Sequence, residues 1–150
     1  MSSFEDACAI ESLGMQDLTP FFNGLGEWKA LSVPFGPDGE LWVGGRSYHV
    51  EVKVERVWTG NLYLETWSDY LVRPGWLVTL EADALAYYFL DRKQVYTASM
   101  RKLRNWARVN LSDYREVDQK AYEQANRTRG VIVPIEVLQD EVGLKVYSIR

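Results

Sequence analysis

The chain has 150 residues and a formal net charge of −4, a length that predicts one domain around one core. One cysteine, Cys8, and one histidine, His49, exclude a disulfide framework and any cysteine- or histidine-rich metal site within the chain, so a bound metal would need oxygen ligands. No run approaches the roughly 18 apolar residues of a membrane-spanning helix, and the segment Met1 to Asp6 lacks the basic and apolar regions of a secretory signal, so a reducing cytoplasm is the compartment expected.

Phe4 to Leu13 predicts a short helix that ends near Gly14. Glu27 to Val33 predicts a first strand. Gly36-Pro37-Asp38-Gly39 is a turn signal. Leu41-Trp42-Val43 is a short strand, and Gly44-Gly45 before Arg46-Ser47 reads as a hairpin turn. Tyr48 to Val54 is the clearest strand. Tyr48, Val50, Val52 and Val54 alternate with His49, Glu51, Lys53 and Glu55. The first set belongs in a core, and the second lines up polar groups on the opposite face.

Thr59-Gly60-Asn61 is another turn, followed by a strand from Leu62 to Trp67 with Glu65 on its polar side. Thr79 to Leu90 predicts a helix with Thr79 as its N-cap. Lys93 to Ala98 predicts a strand, and Ser99 to Val109 a helix bearing Arg101, Lys102, Arg104 and Arg108. Tyr114 to Arg127 reads as a polar loop or a second helix. Gly130 to Ile135 is a last long strand, and Val137-Leu138 with Leu144 to Ile149 close the fold. Strands that run ahead of helices predict an α/β domain, a mixed central β-sheet flanked by helices. Trp42, Trp58, Trp67 and Trp76 are expected in core packing more than in base stacking, and Cys8 as a small buried hydrophobe.

Charge is unevenly spread. Residues 1–90 hold five basic and thirteen acidic side chains, whereas residues 91–129 hold ten basic and five acidic. An acidic stretch followed by a basic one suits a metal site beside a phosphate-binding surface. Clustered cations such as Arg101, Lys102, Arg104 and Arg108 can contact a nucleic-acid backbone. A solvated basic helix is the plainer alternative.

Pro37-Asp38, twelve residues, then Glu51-Val52-Lys53 resembles the PD-(D/E)XK signature of a nuclease superfamily that includes restriction endonucleases and Holliday-junction resolvases. The order of later elements, with Asn61 to Glu65, Ala82-Asp83-Ala84 and Gly130 to Leu138, is similar to the resolvase-like branch and to small phage and plasmid proteins. The resemblance covers roughly residues 35 to 138. It implies a restriction-endonuclease-like core and phosphodiester hydrolysis of DNA. The cofactor would be magnesium or manganese, and the protein would be a homodimer acting on two strands. Glu51 and Lys53 would face one way from one strand, and a first acid would stand about 5 Å away across the ladder. Asp38 fits the letters of the motif; Glu40, which heads a strand, fits the geometry and is slightly preferred. Glu65 is a further candidate ligand, with an alternative pairing to Glu51 across the next strand. Glu55 and His49 are possible supporting groups, and Glu11 or Glu5 would supply a helix-borne acid. The competing reading is a non-catalytic nucleic-acid- or protein-binding module on the same fold, such as a phage-encoded inhibitor of a host protein.

Overall fold

Gly44 and Gly45 both adopt positive φ, 58° and 80°, the conformation of a tight two-residue hairpin turn that residues with a Cβ seldom adopt. That turn joins β2 (Gly39–Val43) to β3 (Arg46–Glu55), and it fixes an antiparallel register in which Val43 pairs with Arg46 and Gly39 with Val50. The structure is a computed structural model that describes residues 4–34, 36–78, 81–119 and 127–149. Around the hairpin stand α1 (Phe4–Leu25), β1 (Glu27–Ala30), β4 (Asn61–Asp69), β5 (Arg73–Pro74), β6 (Ala84–Phe89) and β7 (Gln94–Ser99). They are followed by α2 (Met100–Asn110), a 3-10 turn at Leu111–Asp113, β8 (Glu116–Gln119), β9 (Thr128–Pro134), α3 (Ile135–Glu141) and β10 (Lys145–Ser148).

The strands form a six-stranded sheet in the order β1-β2-β3-β6-β7-β10 and a four-stranded sheet in the order β5-β4-β9-β8. The larger sheet is mixed: β3 and β6 run parallel, and its other pairs are antiparallel. The α/β expectation of a mixed sheet flanked by helices therefore holds. No helix among the described residues is long and apolar enough to cross a membrane.

Each face of the larger sheet has its own core. On one face, Leu18 and Phe22 of α1 pack on Leu41, Val50, Ala86, Tyr88 and Val95. On the other, Leu85, Tyr87, Phe89 and Tyr96 meet the smaller sheet through Leu62, Leu64, Val131 and Val133, with α2 and α3 closing the layer. Both cores exclude water from apolar surface, the main favourable term in such a fold. The cleft between the two sheets is where the polar face of β3 emerges.

Three expectations about secondary structure are corrected. The segment from Ala84 to Phe89 is a strand, not part of a helix from Thr79 to Leu90; Thr79 and Leu80 lie outside the described residues. Leu85, Tyr87 and Phe89 enter one core while Ala86 and Tyr88 enter the other, so the segment is apolar on both sides, as a strand covered on both faces must be. Next, α1 does not stop at Gly14 but continues to Leu25. A Cβ at Gly14 would stand 2.5 Å from Cγ2 of Val54, so this glycine lets the helix lie close against β3 rather than ending it. Lastly, the stretch expected as a polar loop or helix from Tyr114 contains the strand β8, with residues 120–126 outside the described set.

Other element positions match more closely, while two burial expectations do not hold. Ser99 caps α2, its hydroxyl accepting from the Lys102 N–H at 3.3 Å, and α2, β3, β4, β7 and β9 fall where expected. Cys8, expected to be buried, is exposed. Trp42 is exposed as well, whereas Trp76 is in the core.

Candidate functional site

β2 begins at Gly39, but β3 runs on past it, so the N–H of Val52 has no strand partner on that side. The Asp38 carboxylate replaces the strand: its Oδ2 accepts from Val52 N at 2.7 Å, while the Asp38 N–H donates to Val50 O at 3.0 Å. One step beyond the last register pair, Asp38 stands opposite Glu51, and the two carboxyl groups are within hydrogen-bonding reach. Two residues on, Lys53 projects from the same face of β3. Its ammonium lies close enough to Glu51 and Glu65 to favour the ionised form of each.

Glu65 comes from the other sheet. β4 is not a ladder neighbour of β3, whose partners are β2 and β6, so Glu65 meets Glu51 across the cleft rather than along a sheet. The N–H of Trp76 donates to its carboxylate. Gly75 sits against its stem, where an added Cβ would stand 2.6 Å from Cγ of Glu65. A close backbone thus seats this acid from behind.

These groups line one cavity of about 510 Å³. Asp38, Glu51, Lys53, Glu55 and Glu65 are in its wall, with Glu11 of α1 and Arg56 on other sides. A smaller arm of about 190 Å³ shares Glu51, Glu65 and Trp76 and adds Arg73. Burial, then the negative charge of Asp38 and the hydrogen bond that the protonated Glu51 carboxyl donates to it, then Glu65, push the Glu51 carboxyl up to about 9, against a partial offset from Lys53. Glu65 is also raised, chiefly by burial. Several carboxyls facing one lysine in a partly buried space leave negative charge uncompensated, and this shifts acids upward.

The remaining candidates separate clearly. Glu55 lines the cavity and accepts from the Tyr87 hydroxyl at 2.8 Å. Glu11 lines it, whereas Glu5 is exposed on α1. Glu40 is outside the cavity wall. It pairs with His49 in the register, and its carboxylate lies 3.9 Å from the imidazole Nε2. His49 is exposed, and its backbone N–H donates to Asp83 Oδ2 at 2.8 Å. On α2, Arg101, Lys102 and Arg108 are exposed. Arg104 departs from a simple solvated face: its Nε donates to Leu77 O at 2.7 Å, so it ties α2 to the segment behind Glu65. These four cations do not line the carboxylate cavity.

The donor chemistry fits a hard divalent cation, because the acids offer only oxygen and have negative charge to spare. Among the described residues, no group of three or more His, Cys, Asp or Glu side chains is placed to hold a metal ion together. A magnesium-type site does not require one, since the ion keeps several waters and takes one or two carboxylates. Asp38 and Glu51 would hold it, with Glu65 facing them.

Sequence reasoning left Asp38 and Glu40 open as the first acid. Counting back from the Gly44-Gly45 turn would have set Asp38 against Glu51. The roles of Tyr87, Arg56 and Gly75 around the cavity had no local signal. In comparisons with known proteins, no family model, curated protein or solved structure matches the chain.

Proposed function

We propose that the chain is a divalent-cation-dependent deoxyribonuclease on a restriction-endonuclease-like core, of the PD-(D/E)XK type and its resolvase-like branch. The observation that supports this reading is the convergence on one cavity of Asp38 from just before β2, Glu51 and Lys53 from β3, and Glu65 from β4 of the other sheet. What a bound magnesium or manganese ion supplies is acidification of water and neutralisation of charge on a phosphate. Asp38 and Glu51 orient the coordinating oxygens, and the Val52 N–H fixes Asp38 while it does so. Glu65, held by the Trp76 N–H, faces them. Lys53 places a positive charge beside the reacting phosphate, a point-charge role suited to an ammonium. Arg56 and Arg73, at the rims of the two arms, contact flanking phosphates, and Arg101, Lys102 and Arg108 extend the backbone contacts on α2. Cutting two strands requires two such sites, so a homodimer belongs to this reading.

The test is cleavage of labelled single-stranded, duplex, flap and four-way-junction DNA with magnesium or manganese, beside Glu51→Ala and Lys53→Ala. Cleavage by the native chain that both variants lose is the expected result. A folded native chain that cuts none of these substrates at any metal concentration overturns the enzyme reading and leaves a non-catalytic binding module.

A further inference from the structure

The strand that carries Glu51 and Lys53 ends at Glu55, and its exit loop is tied to the turn between β6 and β7. Leu90 N donates to Glu55 O at 2.9 Å, and Asp91 N donates to Arg56 O at 3.1 Å. In return, both oxygens of the Asp91 carboxylate accept from Trp58 N, at 3.0 and 3.1 Å, and the Trp58 indole N–H donates to the Tyr96 hydroxyl at 3.2 Å. Because β3 and β6 run parallel, these contacts bring Arg56 and Arg92, one from each connection, to the same end of the larger sheet. Arg56 is in the wall of the carboxylate cavity. Arg92 lies over the Trp58 ring with its Cζ 3.6 Å from the centroid, so the indole holds a guanidinium that stays exposed.

Past Glu55 the cleft continues into a further cavity of about 530 Å³. Thr59, Asn61 and Arg115 are in its wall, and it shares Glu55 and Gln119 with the carboxylate cavity. The acids of this wall are already engaged. Glu55 accepts from the Tyr87 hydroxyl, and Asp118 pairs with Arg127 and Arg129. Arg56, Arg92 and Arg115 form no ion pair among the described residues. Acids are not scarce, since the chain has 21 against 17 basic side chains, and Lys93 and Arg129 have found theirs.

Three arginines thus follow the cleft away from the carboxylates: Arg56 in the first cavity, Arg92 at the loop that joins the two, and Arg115 in the second. A small anion would meet one of them, whereas a chain of phosphates meets each in turn. The guanidinium fork suits phosphate oxygens. The volume of the second cavity lies in the range of small-ligand sites, which suits one strand and not a duplex. We infer that Arg56, Arg92 and Arg115 bind successive phosphates of a single nucleic-acid strand as it leaves the carboxylate cavity past Glu55. The inference rests on the proposed nuclease reading and gives its substrate a single-stranded arm on that side.

The test is fluorescence anisotropy of a labelled oligothymidylate with the full chain in chelator, titrated across salt. Each phosphate neutralised adds about 0.7 to the salt slope of single-strand binding. Arg56→Gln, Arg92→Gln and Arg115→Gln, all at exposed positions, should each lower the slope by about that amount, and the triple variant by about 2. Lys29→Gln, on β1 at the edge of the larger sheet, removes the same charge elsewhere and should leave the slope unchanged. Polyglutamate, a polyanion without phosphate, should compete poorly, and a duplex of the same length should bind more weakly than the single strand. A native chain that does not bind the oligonucleotide at low salt overturns the inference. So does a triple variant with the native slope, a Lys29→Gln variant that loses as much as the arginine variants, polyglutamate that competes as well as DNA, or a duplex that binds as tightly as the single strand. A chain that cuts DNA but whose arginine variants bind like the native loses only this strand path. A chain that binds the single strand through these arginines but cuts nothing with either metal loses only the nuclease reading.

Discussion

Asp38 and Glu40 are two residues apart on one edge of one hairpin, and they meet different partners. Asp38 faces Glu51 and is fixed by Val52 N, whereas Glu40 faces His49 outside the cavity wall. Asp38→Asn should therefore lower cleavage by about a hundredfold or more, since charge stabilisation at such a site is worth several kcal/mol. Glu40→Gln should leave the rate unchanged in the same assay; equal losses in the two would reassign the first acid. Glu51 makes a second prediction, on pH. In chelator, the unfolded chain ionises this group near its ordinary value of 4.5, while the fold keeps the proton until about 9. Across that window the folded state binds more protons than the unfolded state, so stability falls as pH rises. Glu51→Gln removes the penalty. Its thermal midpoint should match that of the native chain at the acid end of the window and exceed it increasingly toward the alkaline end. Parallel midpoints across the window would show that Glu51 is not held protonated.

Elements tell how far a sequence can be read. The hairpin, β3 and α2 were legible because each has a local cause: paired glycines, a period of two, and a serine cap before a basic amphipathic run. β6 was not, because Ala84 to Phe89 is apolar throughout, and periodicity cannot separate a doubly covered strand from a buried helix. Glu65 was legible as a polar strand residue and as a possible partner of Glu51 across the next strand, but the route by which they meet, from one sheet to another, was not. That meeting depends on β4 leaving the β3 sheet for a second one, a tertiary outcome with no mark in the local pattern. In α1 a local rule misled, since Gly14 looked like a helix end and is a packing contact. Two alanine substitutions separate these effects. At Gly24 nothing lies within 4 Å of an added Cβ, so Gly24→Ala should stabilise by about 0.5–1 kcal/mol through helix propensity. At Gly14 the same propensity gain meets the stiff Val54 side chain at 2.5 Å. Overpacking of about 1–3 kcal/mol should win, making Gly14→Ala destabilising by urea midpoint. A stabilised Gly14→Ala would mean that α1 can lift off β3 freely.

In the whole molecule, the two cores sit on opposite faces of the larger sheet, and the acid-lined cleft opens between that sheet and the smaller one. Asp38 and Glu51 approach from one sheet and Glu65 from the other, so the mutual repulsion of these acids works to part the sheets. A cation held between them should stabilise the fold as a whole, not only the site. By mass action, a divalent cation at a hundred times its dissociation constant adds about 2.7 kcal/mol. For a chain of this size that corresponds to a rise of roughly 5–11 °C in the thermal midpoint. The rise should grow with pH, because the proton on Glu51 must leave before its oxygens can bind the ion, and the pH-dependent loss of stability seen in chelator should flatten. Thermal scans with magnesium, manganese and chelator across the neutral range measure this directly. Glu51→Gln and Glu65→Gln should each blunt the rise, whereas Glu40→Gln should retain it. If magnesium and manganese leave the midpoint unmoved at every pH, or move Glu51→Gln as far as the native chain, these carboxylates do not hold a cation. The charge excess in the cleft would then need another counter-ion.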